Sequence, residues 1–296
     1  MNSVGLNCRS GLNLLCGVIL SCATVLADSP TVYVGDRYQH RIAAITTDST
    51  GNTYVTGSRI IPYPTQPGSN LLGREEQSEV FVAKLDTRTN ERLWIQYFSG
   101  KESEAGTAIA LDQDGSIYVA GSTSSPNFPL LNPLRMELSD RYPTSVGFIL
   151  KLSNDGSRLL WSTYYGQSRT DISSVAAAPG GTVILGGSIV LDSFGNSRSF
   201  VTKIDPAARH VVWEHYYTGL QLACSGGSSC FVSARLTTTT LAIDSIGNIY
   251  AAGNTNTLDL PTTPGAFRER GYGPYIRKLS PAGEIIWSTY LSDNRV

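Results

Sequence analysis

Charged residues are scarce in this chain. Only 16% of its 296 residues are Asp, Glu, Lys or Arg, and 23 basic residues nearly balance 24 acidic ones, for a formal net charge of −1. Proteins that bind nucleic acids or anionic membrane surfaces usually carry an excess of positive charge. The composition therefore offers no electrostatic argument for either partner, and we predict that the protein binds no nucleic acid.

Long hydrophobic runs are also missing. The longest apolar stretch, residues 12–25, follows Arg9 and is shorter than the roughly 20 residues of a membrane-spanning helix. A positive start, a short apolar stretch and small residues before Asp28 are typical of a secretory signal peptide. We predict a signal peptide at residues 1–27 and a mature domain at residues 28–296, without a membrane span.

The same segment leaves a lipid anchor open. Residues 19–22 read Ile-Leu-Ser-Cys and approximate a bacterial lipobox, which would place a lipid on Cys22. Leu20 fits that motif poorly, so the pattern favours ordinary signal cleavage. Both interpretations predict a bacterial protein that is secreted, periplasmic or on the cell surface.

Cysteine is rare beyond that segment. Of five cysteines, only Cys224 and Cys230 lie in the predicted mature domain. An oxidising compartment favours a disulfide between them. A zinc site is the weaker alternative, because two sulfurs without a nearby histidine supply half of a ligand set.

Residues that carry catalysis show no recognisable pattern. The histidines are His40, His210 and His215, and His215 adjoins Glu214 in a predicted strand, where neighbouring side chains point to opposite faces. No nucleophile elbow, H-E-x-x-H sequence or phosphate-binding loop occurs in the sequence. We therefore predict no catalytic residue, no cofactor and no metal ligand, and an enzyme is the less favoured interpretation.

What the chain does have is a repeat. Gly51, Gly115, Gly181 and Gly247 recur at steps of 64 to 66 residues, and a second glycine follows each of them six residues later. Such a fixed period indicates a repeat architecture. Each copy shows an apolar run, a turn, an alternating β-branched and aromatic run, a long loop and two further runs, without a sustained helical period. Each copy is thus predicted to form four antiparallel strands.

Every tryptophan marks the same place in a copy. Trp94, Trp161, Trp213 and Trp287 each lie nine or ten residues after a lysine and three residues before a tyrosine. Buried aromatic side chains provide large contact areas, so we expect them to fill the space between neighbouring sheets. The lysines have apolar neighbours and are expected to point to solvent. They are Lys84, Lys151, Lys203 and Lys278.

Four-stranded units repeated around an axis leave only short exposed edges, which is the architecture of a β-propeller. We predict an all-β propeller of four blades and one extra N-terminal strand at residues 31–34. The blades are approximately residues 41–100, 107–166, 173–219 and 239–291. A small closed ring and an open arc both remain alternatives.

Four short motifs within the copies carry a resemblance to a known family. They read DSTGNTYVTG (residues 48–57), YPTQPG (63–68), FVAKL (81–85) and WSTYYG (161–166). This pattern resembles the bacterial SBBP, or beta-propeller repeat, family. The resemblance implies a propeller fold and an extracellular location, and it implies no common reaction. Copy three lacks the second motif, and copy four has Leu260 and Pro261 in its place.

The loops between the second and third strands are long in three copies and are expected on one propeller face. Loops on a rigid scaffold carry recognition, and aromatic and Arg side chains dominate binding hot spots. We predict a non-catalytic binding scaffold for an unknown protein or carbohydrate on this face. The candidate binding residues are Tyr63, Arg141, Tyr142, Arg268, Arg270 and Tyr272. The proline-flanked residues Phe128 and Leu260 are expected to pin the loops to the blades, whereas for Phe267 both pinning and a place on the binding surface remain alternatives.

A propeller enzyme is the competing class. The repeated tryptophans resemble the tryptophan-docked repeats of quinoprotein dehydrogenases, which would imply an oxidoreductase with a cofactor cage and a metal. A polysaccharide lyase or hydrolase acting across the propeller face is the other enzyme alternative, and it needs paired carboxylates. Clustered carboxylates or a metal at the axis would distinguish these enzymes from a binding scaffold.

Ordinary signal cleavage predicts a mature N terminus at Asp28. After export from a bacterial host, the intact mass of the protein should match residues 28–296 with no added group, because the small residues before Asp28 suit a signal peptidase. Mass spectrometry checks this. A diacylglyceryl adduct on Cys22 would contradict ordinary cleavage and support the lipid anchor.

Overall fold

A computed structural model of the protein describes residues 33–62, 76–137, 145–167, 169–207, 209–218, 222–223, 231–232 and 234–292. The predicted signal peptide and disulfide (Cys224 and Cys230) lie outside these residues, as do Tyr63, Arg141 and Tyr142. Within them, the regular structure is β-strand apart from a 3-10 turn at Pro179–Gly181. No helix in these ranges is long and apolar enough to cross a membrane.

The described strands form four antiparallel sheets of four strands, each paired in chain order, which confirms the predicted propeller blades. Blade one contains β1 (Gln39–Thr47), β2 (Asn52–Pro62), β3 (Glu76–Asp86) and β4 (Glu91–Phe98). Blade two contains β5 (Glu104–Leu111), β6 (Ile117–Thr123), β7 (Val146–Leu152) and β8 (Leu159–Tyr165). Blade three contains β9 (Thr170–Ala177), β10 (Val183–Val190), β11 (Ser197–Asp205) and β12 (His210–Thr218). After the short pair β13 (Leu222–Ala223) and β14 (Phe231–Val232), blade four contains β15 (Leu236–Ile243), β16 (Ile249–Thr255), β17 (Gly273–Leu279) and β18 (Ile285–Tyr290).

Consecutive blades stack face to face. Strand β5 contacts β1, β2 and β3 of the preceding blade, β9 contacts β5, β6 and β7, and β15 contacts β9, β10 and β11. The first strand of each blade is therefore its innermost strand. Blades one and four do not close onto each other within the described residues, so the sheets form an open arc rather than a small ring.

The predicted extra strand is only partly within the described chain. Its described half, Tyr33 and Val34, pairs with no described sheet. Val34 instead lies 7% exposed against the face of blade one that points away from blade two, in a cluster with Phe81. Arg92 Nη1 donates to the Val34 carbonyl at 2.7 Å and holds the segment there. This segment therefore covers an apolar sheet face instead of extending a sheet.

The tryptophans of the first three blades fill the spaces between blades, as expected. Turns between third and fourth strands cover them: a Cβ at Gly156 of blade two would lie 2.6 Å from the Trp94 ring, and one at Gly283 of blade four 2.9 Å from the Trp213 ring. Both glycines have positive φ, 71° and 92°, which a residue with a side chain rarely adopts. The turn backbone of one blade thus rests directly on the tryptophan of the blade before it.

The tryptophan of blade four provides a matched control for this packing. Trp161 is 3% exposed between blades two and three, whereas Trp287 is only half-buried. We expect Trp161→Ala to lower the free energy of unfolding by roughly 3–5 kcal/mol through cavity formation. Trp287→Ala should cost clearly less, because less of its surface is buried. Urea denaturation of both variants measures the difference, and equal losses would contradict burial between blades as the cause.

Candidate functional site

The face that carries the turns between first and second strands repeats one charged cluster. In blade two, Lys151 Nζ lies 3.0 Å from Asp112 Oδ2 and 4.8 Å from the Tyr118 ring centroid. Blades one and four repeat this arrangement with Lys84, Asp48 and Tyr54, and with Lys278, Asp244 and Tyr250. The expectation that these lysines simply point to solvent is wrong. Each one pairs with the turn aspartate and lies over the strand tyrosine.

Hydrogen bonds keep this cluster charged. Burial raises the pKa of Asp48, but hydrogen bonds led by that from Asn52 outweigh burial and hold the pKa well below its ordinary value. Burial lowers the pKa of Lys151, but hydrogen bonding to Tyr118 and Asp112 outweighs it, so the net shift is upward. Neither group changes its charge near neutral pH, which suits a fixed structural cluster and not a proton carrier.

A pocket of about 190 Å³ opens on this face, between the turns of blades two, three and four. Asp112 and Asp244 border it, next to Gln113 and Ser245. Both carboxylates already pair with a lysine at 3.0 and 3.7 Å. In the part of the chain that the structure describes, no three His, Cys, Asp or Glu side chains come together in a group that could hold a metal ion.

Another buried carboxylate lies near the opposite, loop-rich face. Glu104 is 1% exposed, and burial raises its pKa. Its carboxylate accepts hydrogen bonds from the Gly100 amide at 3.0 Å, the Thr123 hydroxyl at 2.9 Å and the Ser125 hydroxyl. The Gly100 amide lies just before β5, and the hydroxyls of Thr123 and Ser125 lie at the end of β6 and just after it. Glu104 therefore organises the base of the blade-two loop.

The long loop of blade two is pinned to its own blade. The Tyr164 hydroxyl accepts from the Phe128 amide at 3.1 Å and donates to the Ser125 carbonyl at 2.8 Å. Leu131 and Ser162 then exchange backbone hydrogen bonds of 3.4 and 3.0 Å along the outer strand β8. Phe128 is 3% exposed, which confirms its expected role as a pin.

The loop of blade four repeats the arrangement. The Tyr290 hydroxyl accepts from the Leu260 amide at 2.8 Å and donates to the Thr257 carbonyl at 2.9 Å. Leu260 is 4% exposed and is confirmed as a pin. For Phe267 the sequence left two roles open, and its ring, 69% exposed, does not pin the loop. Further backbone contacts by Arg268 hold that part of the loop to β18, so the phenylalanine is left at the surface.

The structure brings together three of the six predicted binding residues. Arg268, Arg270 and Tyr272 lie on the blade-four loop, where Arg270 is exposed and the other two are half-buried. The Arg268 guanidinium carbon lies 5.6 Å from the Phe267 ring centroid. The sequence left the role of Phe267 open, and the glycine at position 265, just before it, was the available sign of a turn that exposes its neighbours.

Sequence reasoning also missed a cation between blades three and four. Arg277 is 1% exposed, its Nε donates to Ser288 Oγ at 3.2 Å, and its guanidinium carbon lies 3.7 Å from the Tyr217 ring centroid. Among the described residues nothing accepts a hydrogen bond from Nη1 or Nη2. Burial lowers the pKa of the guanidinium. An aromatic ring, not a carboxylate, therefore stabilises this charge.

Two parts of the chain match the model of the SBBP beta-propeller repeat, residues 93–129 and 221–261. The chain contains SBBP beta-propeller repeats. This confirms the resemblance drawn from the sequence motifs. No curated protein matches the chain.

Solved structures similar to this chain share little of its sequence. A putative gluconolactonase has 15% identity and a TM-score of 0.39, over 86% of this chain and 64% of its own. The Dos1 propeller has 10% identity and a TM-score of 0.39, over 85% and 59%. PorZ, a bacterial surface component of the type-IX secretion system of Porphyromonas gingivalis, has 12% identity and a TM-score of 0.38, over 89% and 30%. The chain thus spans less than two thirds of each, and likeness at this level carries no argument about function.

The tyrosine that pins the loop in blades two and four gives a testable contrast. Tyr164→Phe removes two buried hydrogen bonds and should lower the free energy of unfolding by about 1–3 kcal/mol. Tyr216→Phe, at the same repeat position in blade three, should cost clearly less, because Tyr216 is 37% exposed, its hydroxyl meets the side chains of Glu214 and Tyr165, and it holds no described loop. Urea denaturation and limited proteolysis at residues 124–137 measure both effects. Equal behaviour of the two variants would contradict the pinning role.

Proposed function

We propose that this SBBP protein is exported from a bacterial cell and binds a protein or carbohydrate partner without catalysis, through the blade-four loop at residues 258–272. The observation that carries the proposal is the exposed Phe267. Its ring is 69% exposed beside Arg268, on a loop whose backbone is fixed to β18 on both sides of it.

A fixed loop with an exposed aromatic ring suits recognition. Binding costs conformational entropy when a loop must first become ordered, and a loop already held by its own blade avoids much of that cost. The contacts at Leu260 and Arg268 provide this restraint. Aromatic and Arg side chains are the types most enriched at binding hot spots, and both are present here within four residues, from Phe267 to Arg270.

The charged groups near the pocket support a scaffold over the enzyme alternatives. A polysaccharide-cleaving enzyme needs two carboxylates with separate roles, one of them protonated. Asp112 and Asp244, which border the pocket, each form an ion pair with a repeated lysine. The same pairing recurs at Asp48 in blade one, away from the pocket. An ion pair that recurs in three of the four blades is typical of a structural feature of the repeat.

Two features of the chain support the proposal that the protein is exported. The signal-like segment before Asp28 supports secretion, and the SBBP repeats agree with the extracellular setting that the resemblance implied. Intact-mass analysis of the exported protein tests this part independently of binding.

Charge reversal on the blade-four loop tests the binding site. Immobilised mature protein is exposed to a panel of bacterial surface polysaccharides and surface proteins, and the partner that binds is titrated against variants. We expect Arg268→Glu with Arg270→Glu to weaken binding at least tenfold, since charged and aromatic anchors dominate such contacts. The melting temperature should not change, because neither side chain lies in the core.

A matched double reversal on the opposite face serves as control. Arg88→Glu with Arg158→Glu changes the same number of charges in turns between third and fourth strands and should leave binding intact. Loss of binding in this control, with intact binding in the Arg268 and Arg270 variant, would place the site on the turn face and overturn the proposal. A panel member that is chemically cleaved by the protein would support the enzyme class.

A further inference from the structure

The outer strands of blades two and four are each covered by a segment of their own loop. In blade two, Leu131 pairs with Ser162 of β8 in an antiparallel bridge. In blade four, the Thr263 amide donates to the Ser288 carbonyl at 3.1 Å, and the Tyr290 amide donates to the Arg268 carbonyl at 3.1 Å. These loops satisfy the outward backbone groups that an edge strand would otherwise expose.

Among the described residues, blade three has no such cover. Its strands β10 and β11 are joined by residues 191–196 alone, a tight turn closed by a 2.7 Å hydrogen bond from the Leu191 amide to the Asn196 carbonyl. Asp192 caps this turn through the Asn196 amide at 3.0 Å. A turn of six residues at the end of the sheet cannot run down to its outer strand β12.

The repeat register shows which backbone groups of β12 face outward. Trp213 pairs with Lys203 as Trp161 pairs with Lys151, so Glu214 of β12 corresponds to Ser162 of β8. The Ser162 amide and carbonyl are the groups that bind the loop in blade two. In the described chain, β12 pairs only with β11, and no other backbone group bonds to the outward amide and carbonyl of Glu214.

The side chains at this edge also lack the cover found in blades two and four. Glu214 is exposed, whereas the corresponding Ser162 and Ser288 are 0% exposed. Tyr216 occupies the position of the loop-holding tyrosines Tyr164 and Tyr290 and is 37% exposed, against 2% and 0% for those two. An uncovered edge strand is a site of strand pairing, which proteins usually block. Among the described residues, no segment lies along this edge.

We propose that β12 receives an extended peptide segment of a partner by β-augmentation, and that this segment carries an apolar residue followed by proline. The two internal covers define that chemistry. They read Phe-Pro-Leu-Leu at residues 128–131 and Leu-Pro-Thr-Thr at residues 260–263, with the residue that pairs with the edge three positions after the apolar one. The peptide lies antiparallel to β12, as Leu131 does to β8. Main-chain hydrogen bonds supply affinity in this mode, and side-chain pockets supply selectivity.

This surface is separate from the blade-four loop of the proposed function. The apolar residue of the peptide takes the place beside Tyr216 that Phe128 takes beside Tyr164, and it must displace Arg198, whose guanidinium carbon lies 3.9 Å from the Tyr216 ring centroid. The residue three positions on pairs with Glu214. A partner that binds here needs an exposed, proline-containing extended segment, such as a linker or terminal tail, and no folded surface.

A peptide copied from the chain provides the probe. Labelled peptide with the sequence of residues 125–135, Ser-Pro-Asn-Phe-Pro-Leu-Leu-Asn-Pro-Leu-Arg, is titrated with the full mature protein and followed by fluorescence anisotropy. Glu214→Pro removes the outward amide of β12, and proline is tolerated at such edge positions because the bonds to the inner neighbour are kept. Glu214→Ala is the matched control, since both variants lose the bond from Tyr165 to the glutamate.

We expect wild type and Glu214→Ala to bind alike and Glu214→Pro to bind at least tenfold more weakly, with similar melting temperatures for the two variants. A peptide N-methylated at the second leucine of Phe-Pro-Leu-Leu gives an independent arm if Glu214→Pro fails to fold, and its binding should also weaken at least tenfold. Equal binding by Glu214→Pro and Glu214→Ala, undiminished binding of the methylated peptide, or no binding to wild type at about 1 mM peptide overturns the proposal.

Discussion

Each blade has an apolar face that only a further sheet can cover. Tyr54, Tyr118 and Ile184 occupy one repeat position and are 1%, 0% and 0% exposed between consecutive blades. Tyr250 is the fourth member and is only half-buried, because no described sheet follows blade four. Burial of apolar area contributes roughly 25 cal/mol per Å², so the stacking of sheets, and not any single blade, stabilises the arc. The face of blade one that points away from blade two is covered in another way, because Val34 and its neighbours lie on that sheet.

The stacking constraint explains the other repeated residues. A turn without a side chain is required where the backbone of one blade rests on the tryptophan of the preceding one, as at Gly156 and Gly283. The repeated lysine and aspartate lie at one end of the interface between blades. Their ion pair lies there against the buried strand tyrosine. Blade three has Ala178 at the aspartate position, and Lys203 donates instead to the Pro281 carbonyl of blade four at 3.1 Å. The lysine is thus kept in an interface even where its usual partner is lost.

The repeat could be predicted from sequence because its signals are local. Strand number, pairing order and the buried aromatic positions follow from spacing that recurs every 64 to 66 residues, and the structure confirms the blades. The surroundings of the lysines could not be predicted, since an isolated strand pattern does not show which carboxylate its turn will bring close. The exposure of Phe267 could not be decided from sequence for a related reason. An apolar residue in a proline-rich loop resembles Phe128 in sequence, and only the path of the loop along β18 distinguishes the two.

Polar residues between the blades show how one repeat position takes on different chemistry. Ala83, Leu150, Thr202 and Arg277 are equivalent, and each lies on the third strand of its blade. Leu150 packs in the apolar interface between blades one and two. Thr202 bonds to the Tyr165 hydroxyl, and Arg277 lies over the Tyr217 ring. A buried charge without a carboxylate partner is costly, so Arg277 is retained at the expense of stability that an apolar residue would provide. The ring of Tyr217 offsets part of that cost through its negative face, which makes the pair dependent on the exact stacking of blades three and four. The interface that stabilises the arc therefore also fixes the relative position of the open strand β12 and the loop of blade four.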